Sequence, residues 1–162
     1  MAVPRSPGSA PSAGDPFRRF AHRYFRAALV YFALGMLLGA AMMWFGNDNL
    51  QFLHSHLLLV GAGLFAAYGA GLLWIASGAD AGPVPGVTPG MANGQFWLAN
   101  VGLPGMLAGS VLPVGLGLDR FGVLFGFLEA AAGVLFALLL SRTLRNTRYR
   151  GVPNPPPEQG RS

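Results

Sequence analysis

One stretch decides the fold of this chain: residues 53–77 read LHSHLLLVGAGLFAAYGAGLLWIAS and contain no Asp, Glu, Lys or Arg. A helix rises about 1.5 Å per residue, so a segment of this length crosses the hydrocarbon core of a bilayer, which is roughly 30 Å thick. The stretch therefore predicts a membrane-spanning helix. It also places the imidazoles of His54 and His56 inside the membrane, where ionisable side chains are costly and commonly functional.

Three further segments, residues 25–45, 96–116 and 121–140, are also long and apolar enough to cross a bilayer. Over the whole chain 52% of the residues are hydrophobic and only 10% are charged. The first segment lacks a small-residue cleavage site, so we interpret it as a retained helix and not as a signal peptide. The sequence predicts an all-α integral membrane four-helix bundle over residues 21–150, between disordered tails at 1–20 and 151–162.

Arginine placement predicts the orientation of these spans. All eleven basic residues are Arg: five precede or open the first span, five follow the last, and only Arg120 lies in a connection. Basic residues favour the cytoplasmic side, so both termini are expected there, with residues 46–52 and 118–120 outside and the Pro- and Gly-rich linker 78–95 inside. The net charge of +5 then serves topology and attraction to anionic lipid head groups. The expected partner is therefore the lipid bilayer and not nucleic acid.

Glycines four residues apart recur on three of the predicted spans: Gly35 and Gly39, Gly105 and Gly109, Gly122 and Gly126. Small residues at this spacing let helix backbones approach closely in lipid. The pairs predict tight packing, either within the bundle or between copies of the chain. Absence of Cys excludes disulfides, thiolate metal sites and cysteine-linked c-type haem.

The spacing of the two histidines limits what they bind. Residues two apart on a helix point about 200° away from each other, so His54 and His56 cannot share one metal ion without distorting the helix. They can instead serve two different sites, and an imidazole in an apolar slot suits the axial position of a haem iron. Equally, both would bind nothing if they lay at the outer interface, hydrogen-bonded to water or to Asn47, Asn49 and Gln51. His56 lies about 3 Å further from the outer edge, which predicts that it is the more buried ligand.

Two strings resemble subunit I of the haem-copper oxidase superfamily, most closely the cbb3-type oxidases and nitric oxide reductases. Residues 52–61, FLHSHLLLVG, are similar to the His-x-His helix of that subunit, and residues 96–102, FWLANVG, are similar to the start of its next helix. Residues 25–39 resemble the start of short membrane proteins that carry the same motif. In the family one His ligates the low-spin haem and the other ligates the high-spin haem. The resemblance therefore implies haem b at His54 and His56, in a multi-pass protein of the bacterial inner membrane.

The chain also departs from that family. Subunit I has twelve spans where four are predicted here, and no further intramembrane His completes its ligand set. The resemblance implies a haem-binding protein in electron transfer, gas binding or as an oxidase accessory, with no catalytic residue and no oxygen reduction by one chain. A second haem ligand would come from another copy or from Met42, Met43 or Met106. Three copies would match the twelve helices of subunit I, so a homo-oligomer, most simply a trimer, is expected.

Two other function classes stay open. One is a haem-free assembly or interaction protein that keeps the His-x-His helix for packing, and the other is a small proton or metal transporter that uses the histidines and Glu129. The carboxyl of Glu129 lies roughly 12 Å into the fourth predicted span. It is expected either to relay protons or orient an imidazole, with Asn100 and Gln95 beside it, or to form a structural hydrogen bond to Asn100, Tyr68 or a carbonyl freed by Pro104. In short relatives a His often occupies the place of Gln95.

Overall fold

The computed structural model describes residues 12–46, 50–82, 84–111 and 119–150. Within these ranges all regular structure is helical, in four helices: α1 (Asp15–Phe45), α2 (Gln51–Asp80), α3 (Pro89–Val111) and α4 (Asp119–Arg150). No strand occurs among the described residues. The prediction of an all-α chain is confirmed.

Three of the helical stretches are long and apolar enough to cross a membrane. They are Asp15–Phe45, Gln51–Asp80 and Arg120–Thr147. They are compatible with a multi-pass membrane protein. The predicted span at 96–116 overlaps α3, but residues 112–116 lie outside the described ranges, and a crossing by α3 stays a prediction.

Two boundaries differ from the predicted ones. Helix α1 begins at Asp15, before the predicted tail boundary at residue 20, because a proline fits the first turn of a helix and Phe17 is buried against the core. The connection between α2 and α3 shrinks from the predicted 78–95 to 81–88, since the Thr88 hydroxyl accepts a hydrogen bond from the Met91 amide and caps α3. The tails at 1–11 and 151–162 lie outside the described residues.

The four helices pack in two tight pairs, α1 with α2 and α3 with α4, joined by smaller contacts between α1 and α3 and between α2 and α4. All four helices contribute to one buried apolar core. At its centre the ring of Tyr24 contacts Phe65 and Phe96 edge-on, with centroids 5.3 and 5.1 Å apart. Burial of these rings from three helices holds the pairs together.

Glycines permit the closest helix contacts. A methyl group on Gly109 would lie 2.4 Å from the Cα atom of Gly122, and one on Gly102 would lie 2.7 Å from the backbone nitrogen of Glu129. Neither separation leaves room for a side chain at these positions. Gly109 and Gly122, each from a predicted pair, therefore pack within one chain, between α3 and α4.

The two ends of the helix stack differ in charge. At one end Arg18 pairs with Asp80, and Arg142 donates a hydrogen bond of 2.6 Å to the carbonyl oxygen of Gly86. We call this the arginine end, and it carries both residue 12 and residue 150, the first and last of the described chain. The opposite end, where α1 finishes and α2 begins, carries His54 and His56 and is called the histidine end.

Candidate functional site at the histidine end

The side chain of His54, on α2, is held against α1 by a hydrogen bond. Its Nδ1 atom donates this bond, of 2.9 Å, to the carbonyl oxygen of Gly35. The ring lies on Gly39, where a methyl group would come within 2.6 Å of the imidazole Cε1 atom. A carbonyl oxygen only accepts, so in the neutral ring Nδ1 carries the proton and Nε2 keeps the lone pair. This is the tautomer in which a backbone carbonyl orients a histidine for ligation through Nε2.

A groove of about 670 Å³ opens beside this ring. Its volume falls in the range of small-molecule and cofactor sites, about 300–1,000 Å³. The groove is lined mainly by thioethers and other apolar groups of α1, together with the start of α2: Met36, Gly39, Ala40, Met42, Met43, Gln51, His54 and Leu58. An imidazole and three thioether sulfurs, all of them known axial ligands of haem iron, therefore share one apolar surface.

His56 has different surroundings. Its Nδ1 atom donates a hydrogen bond of 2.9 Å to the carbonyl oxygen of Phe52 on the same helix, and its ring stacks on that of Phe52 with centroids 3.9 Å apart. His56 is not among the residues that line the groove. His54 therefore makes a hydrogen bond to a neighbouring helix, and His56 makes one within its own helix, whereas the sequence predicts that His56 is the more buried ligand.

The two histidines do not form an ion site with other common ligands. Over the described ranges, no group of three or more His, Cys, Asp or Glu side chains is placed to hold a metal ion. The separate settings of His54 and His56 agree with the geometric argument that an i, i+2 pair does not share one ion.

A π-helical segment, Leu57–Leu64, follows the histidines directly and leads into the α-helical stretch Phe65–Asp80. Such wider turns inside α-helices are rare and occur frequently at functional sites. In this segment Gly61 packs beneath Tyr31 of α1, where a methyl group would lie 2.6 Å from the tyrosine Cβ atom. This segment changes the rotation of the first turns of α2 about the helix axis, relative to the rest of the helix. Sequence periodicity did not predict the π-helical segment.

A second group of polar side chains lies in the middle of the helix stack, and we call Tyr24, Tyr68, Gln95 and Glu129 the central polar cluster. The Tyr24 hydroxyl donates a hydrogen bond of 2.6 Å to Oε1 of Gln95. Within the described part of the chain, Tyr68 Oη, Gln95 Nε2 and both carboxyl oxygens of Glu129 are buried without a hydrogen-bond partner. The described residues show none of the hydrogen bonds expected of Glu129, whether to Tyr68, to Asn100 or to a carbonyl freed by Pro104.

Asn100 does not belong to the cluster. Its Nδ2 atom donates a hydrogen bond of 2.8 Å to the carbonyl oxygen of Phe96 on its own helix. The grouping of Asn100 with Glu129 and Gln95 is therefore not supported, while Gln95 gains an unexpected partner in Tyr24. The two residues are 71 positions apart, and no local pattern in the sequence signals such a pair.

Asp80 belongs to an ion pair at the arginine end that was not predicted from the sequence. It is the last residue of α2, pairs with Arg18, and accepts a hydrogen bond of 3.0 Å from the Gly14 amide. The available signal was the scarcity of acids: the chain has six Asp and Glu residues against eleven Arg, so a carboxylate near the arginines of α1 is well placed to pair.

Comparison with known proteins adds no relative, since no protein-family model, no curated protein and no solved structure matches the chain.

Proposed function

We propose that this chain is an integral membrane haem-binding protein related to subunit I of the haem-copper oxidases, with His54 as an iron ligand. The observation that carries the proposal is the hydrogen bond from His54 Nδ1 to Gly35, which fixes the ring and leaves Nε2 available. The resemblance of residues 52–61 and 96–102 to that family supplies the identity of the cofactor.

The residues of the groove fit a haem group. Its lining is largely apolar, as the macrocycle requires, and Gly39 lets the imidazole approach α1 closely. Met36, Met42 and Met43 each offer a thioether that would help to hold the iron, and a pairing of Met with His occurs in cytochromes. When bound, haem b would supply one-electron transfer or binding of a diatomic gas, and the residues of the groove would hold it.

His56 supports the proposal of a homo-oligomer. Its ring lies outside the groove, so any ligand for its Nε2 atom would come from the interface or from another copy. Three copies would bring together twelve helices, as in subunit I. A mass measurement in mild detergent checks this part, and a monomer that binds haem with two protein ligands would contradict it.

We further propose four spans in a bacterial inner membrane, with the arginine end in the cytoplasm. The support is the arginine distribution, which concentrates basic residues of α1 and α4 at that end. Cysteines introduced at Asn49 and Ser162 should then react with an impermeant reagent from opposite sides of the membrane. Reaction of both from the same side would contradict this topology.

The direct test of haem binding is a reduced-minus-oxidised absorption spectrum of the purified protein after expression with ample haem. A b-type spectrum is expected. Protein that carries no haem under these conditions, and takes up none when haemin is added, would contradict the proposal and favour the haem-free assembly or transport alternatives.

A further inference from the structure

The central polar cluster offers buried hydrogen-bonding atoms that the protein itself leaves unused. Tyr68 and Gln95 are 1% and 0% exposed and Glu129 is 8% exposed, yet four of their atoms have no partner among the described residues. Buried polar atoms in native proteins are nearly always satisfied, by protein or by ordered water. An arrangement of this kind therefore points to small polar ligands and not to a packing defect.

These atoms lie in one region, although they come from three helices. The rings of Tyr24 and Tyr68 are 5.4 Å apart, and Tyr24 is hydrogen-bonded to Gln95. A methyl group on Gly133, one turn along α4 from Glu129, would lie 3.4 Å from Tyr68 Oη. The tyrosine hydroxyl therefore reaches the face of α4 that carries the carboxyl group.

The chemistry of the unused atoms favours water over a metal ion. Gln95 Nε2 donates only, Tyr68 Oη both donates and accepts, and a carboxyl group accepts when ionised and also donates when protonated. Water satisfies such a mixed set, because each molecule needs two to four polar partners. A cation would instead repel the amide donor and would require further oxygen ligands.

The groups around Glu129 determine whether its carboxyl group is held in one protonation state. The titratable groups that interact with it are the phenols of Tyr24 and Tyr31 on α1 and Tyr68 on α2, and from α3 the cluster receives only the neutral amide of Gln95. Glu129 forms no ion pair within the described residues. Because no cation pairs with this carboxyl group among the described residues, neighbouring water is the partner with which it would exchange a proton.

We infer that Tyr68, Gln95 and Glu129 bind a cluster of internal water through which Glu129 takes up and releases a proton. In uptake a hydronium ion gives its proton to a carboxylate oxygen and becomes water, and in release the same O–H bond breaks in the reverse direction. This site lies apart from the groove at His54 and does not depend on haem.

Infrared spectroscopy of the full chain tests the inference, with Glu129→Gln identifying the band of the carboxyl group. The wild type should show a protonated carboxyl band that is absent from Glu129→Gln, moves to lower frequency in D₂O and disappears as the pH is raised. Tyr68→Phe and Gln95→Leu should shift this band or slow its exchange several-fold.

Asn100→Leu is the matched control, since it removes an amide on α3 that is bonded to its own helix, and it should leave the band unchanged. A band that does not exchange with D₂O would show that the cluster is dry and overturn the inference. Loss of the band on adding sodium at constant pH would assign a cation site instead. An unchanged band in both Tyr68→Phe and Gln95→Leu would also overturn it. Because the measurement works on haem-free protein, its outcome is separate from that of the haem proposal.

Discussion

The groove at the histidine end and the central polar cluster each hold ionisable groups between apolar helices, but these groups differ in their hydrogen bonds to the protein. His54 has one nitrogen tied to the backbone of α1 and one nitrogen available beside an open, thioether-lined groove. Glu129 is 8% exposed, and neither of its carboxyl oxygens has a hydrogen-bond partner among the described residues. The proposed haem ligand therefore has one ring atom fixed by the backbone, whereas the proposed proton-exchanging group keeps both oxygens available to water.

The largest effect is expected from Gly39→Ala, which should weaken haem binding at the histidine end and leave the central polar cluster unchanged. Its added methyl group would meet the His54 ring at 2.6 Å, so the imidazole must move from its place under Gly35. Haem binding should weaken at least tenfold, as measured by haemin titration, while the carboxyl band of Glu129 stays as in the wild type.

Gly63→Ala is the matched control on α2, because its methyl group would meet its nearest neighbour at an ordinary 3.6 Å. Haem affinity should be unchanged in this variant. If Gly39→Ala bound haem as well as Gly63→Ala, the contact between His54 and α1 would not position the ligand.

Breaking the hydrogen bond between Tyr24 and Gln95 should have an intermediate effect, which is a loss of stability. Tyr24→Phe leaves Oε1 of Gln95 buried without its donor, which should lower the free energy of unfolding by about 1–3 kcal/mol. The double variant Tyr24→Phe with Gln95→Leu removes both partners and should recover most of that loss. Unfolding curves in mixed detergent measure both, and a double variant less stable than Tyr24→Phe alone would contradict this reading of the cluster.

The smallest effect is expected at the arginine end. Arg18→Ala removes the ion pair with Asp80, whose side chains are 33% and 28% exposed, so it should cost no more than about 1 kcal/mol and less at high salt. A loss as large as that of Tyr24→Phe would mean that the ends, and not the centre, hold the helices together.

The sequence predicted the helices well because their signal is local. Apolar runs and sparse charge determined that α1, α2 and α4 would form, and the spacing of His54 and His56 determined that they would face different surroundings. Boundaries were less well predicted, since the capping of α3 by Thr88 and the burial of Phe17 overrode the expectation that Pro- and Gly-rich segments stay outside helices.

The contacts that define both regions could not be predicted, because each joins residues far apart in the chain. The partner of His54 is a backbone carbonyl 19 residues earlier, and the partner of Tyr24 lies 71 residues later. The π-helical turn after His56 was also hidden, since eight apolar residues show no periodicity that distinguishes it from an α-helix.

The central claim is that His54, and not His56, is the ligand prepared on this chain for haem iron. Haemin titration of His54→Ala and His56→Ala, each followed by its Soret absorption, tests it most directly. We expect His54→Ala to abolish the bound-haem spectrum, and His56→Ala to keep it and to alter mainly the oligomeric state or the spin state of the iron. Retention of the wild-type spectrum by His54→Ala, or its loss in His56→Ala alone, would contradict the assignment of His54 as the ligand.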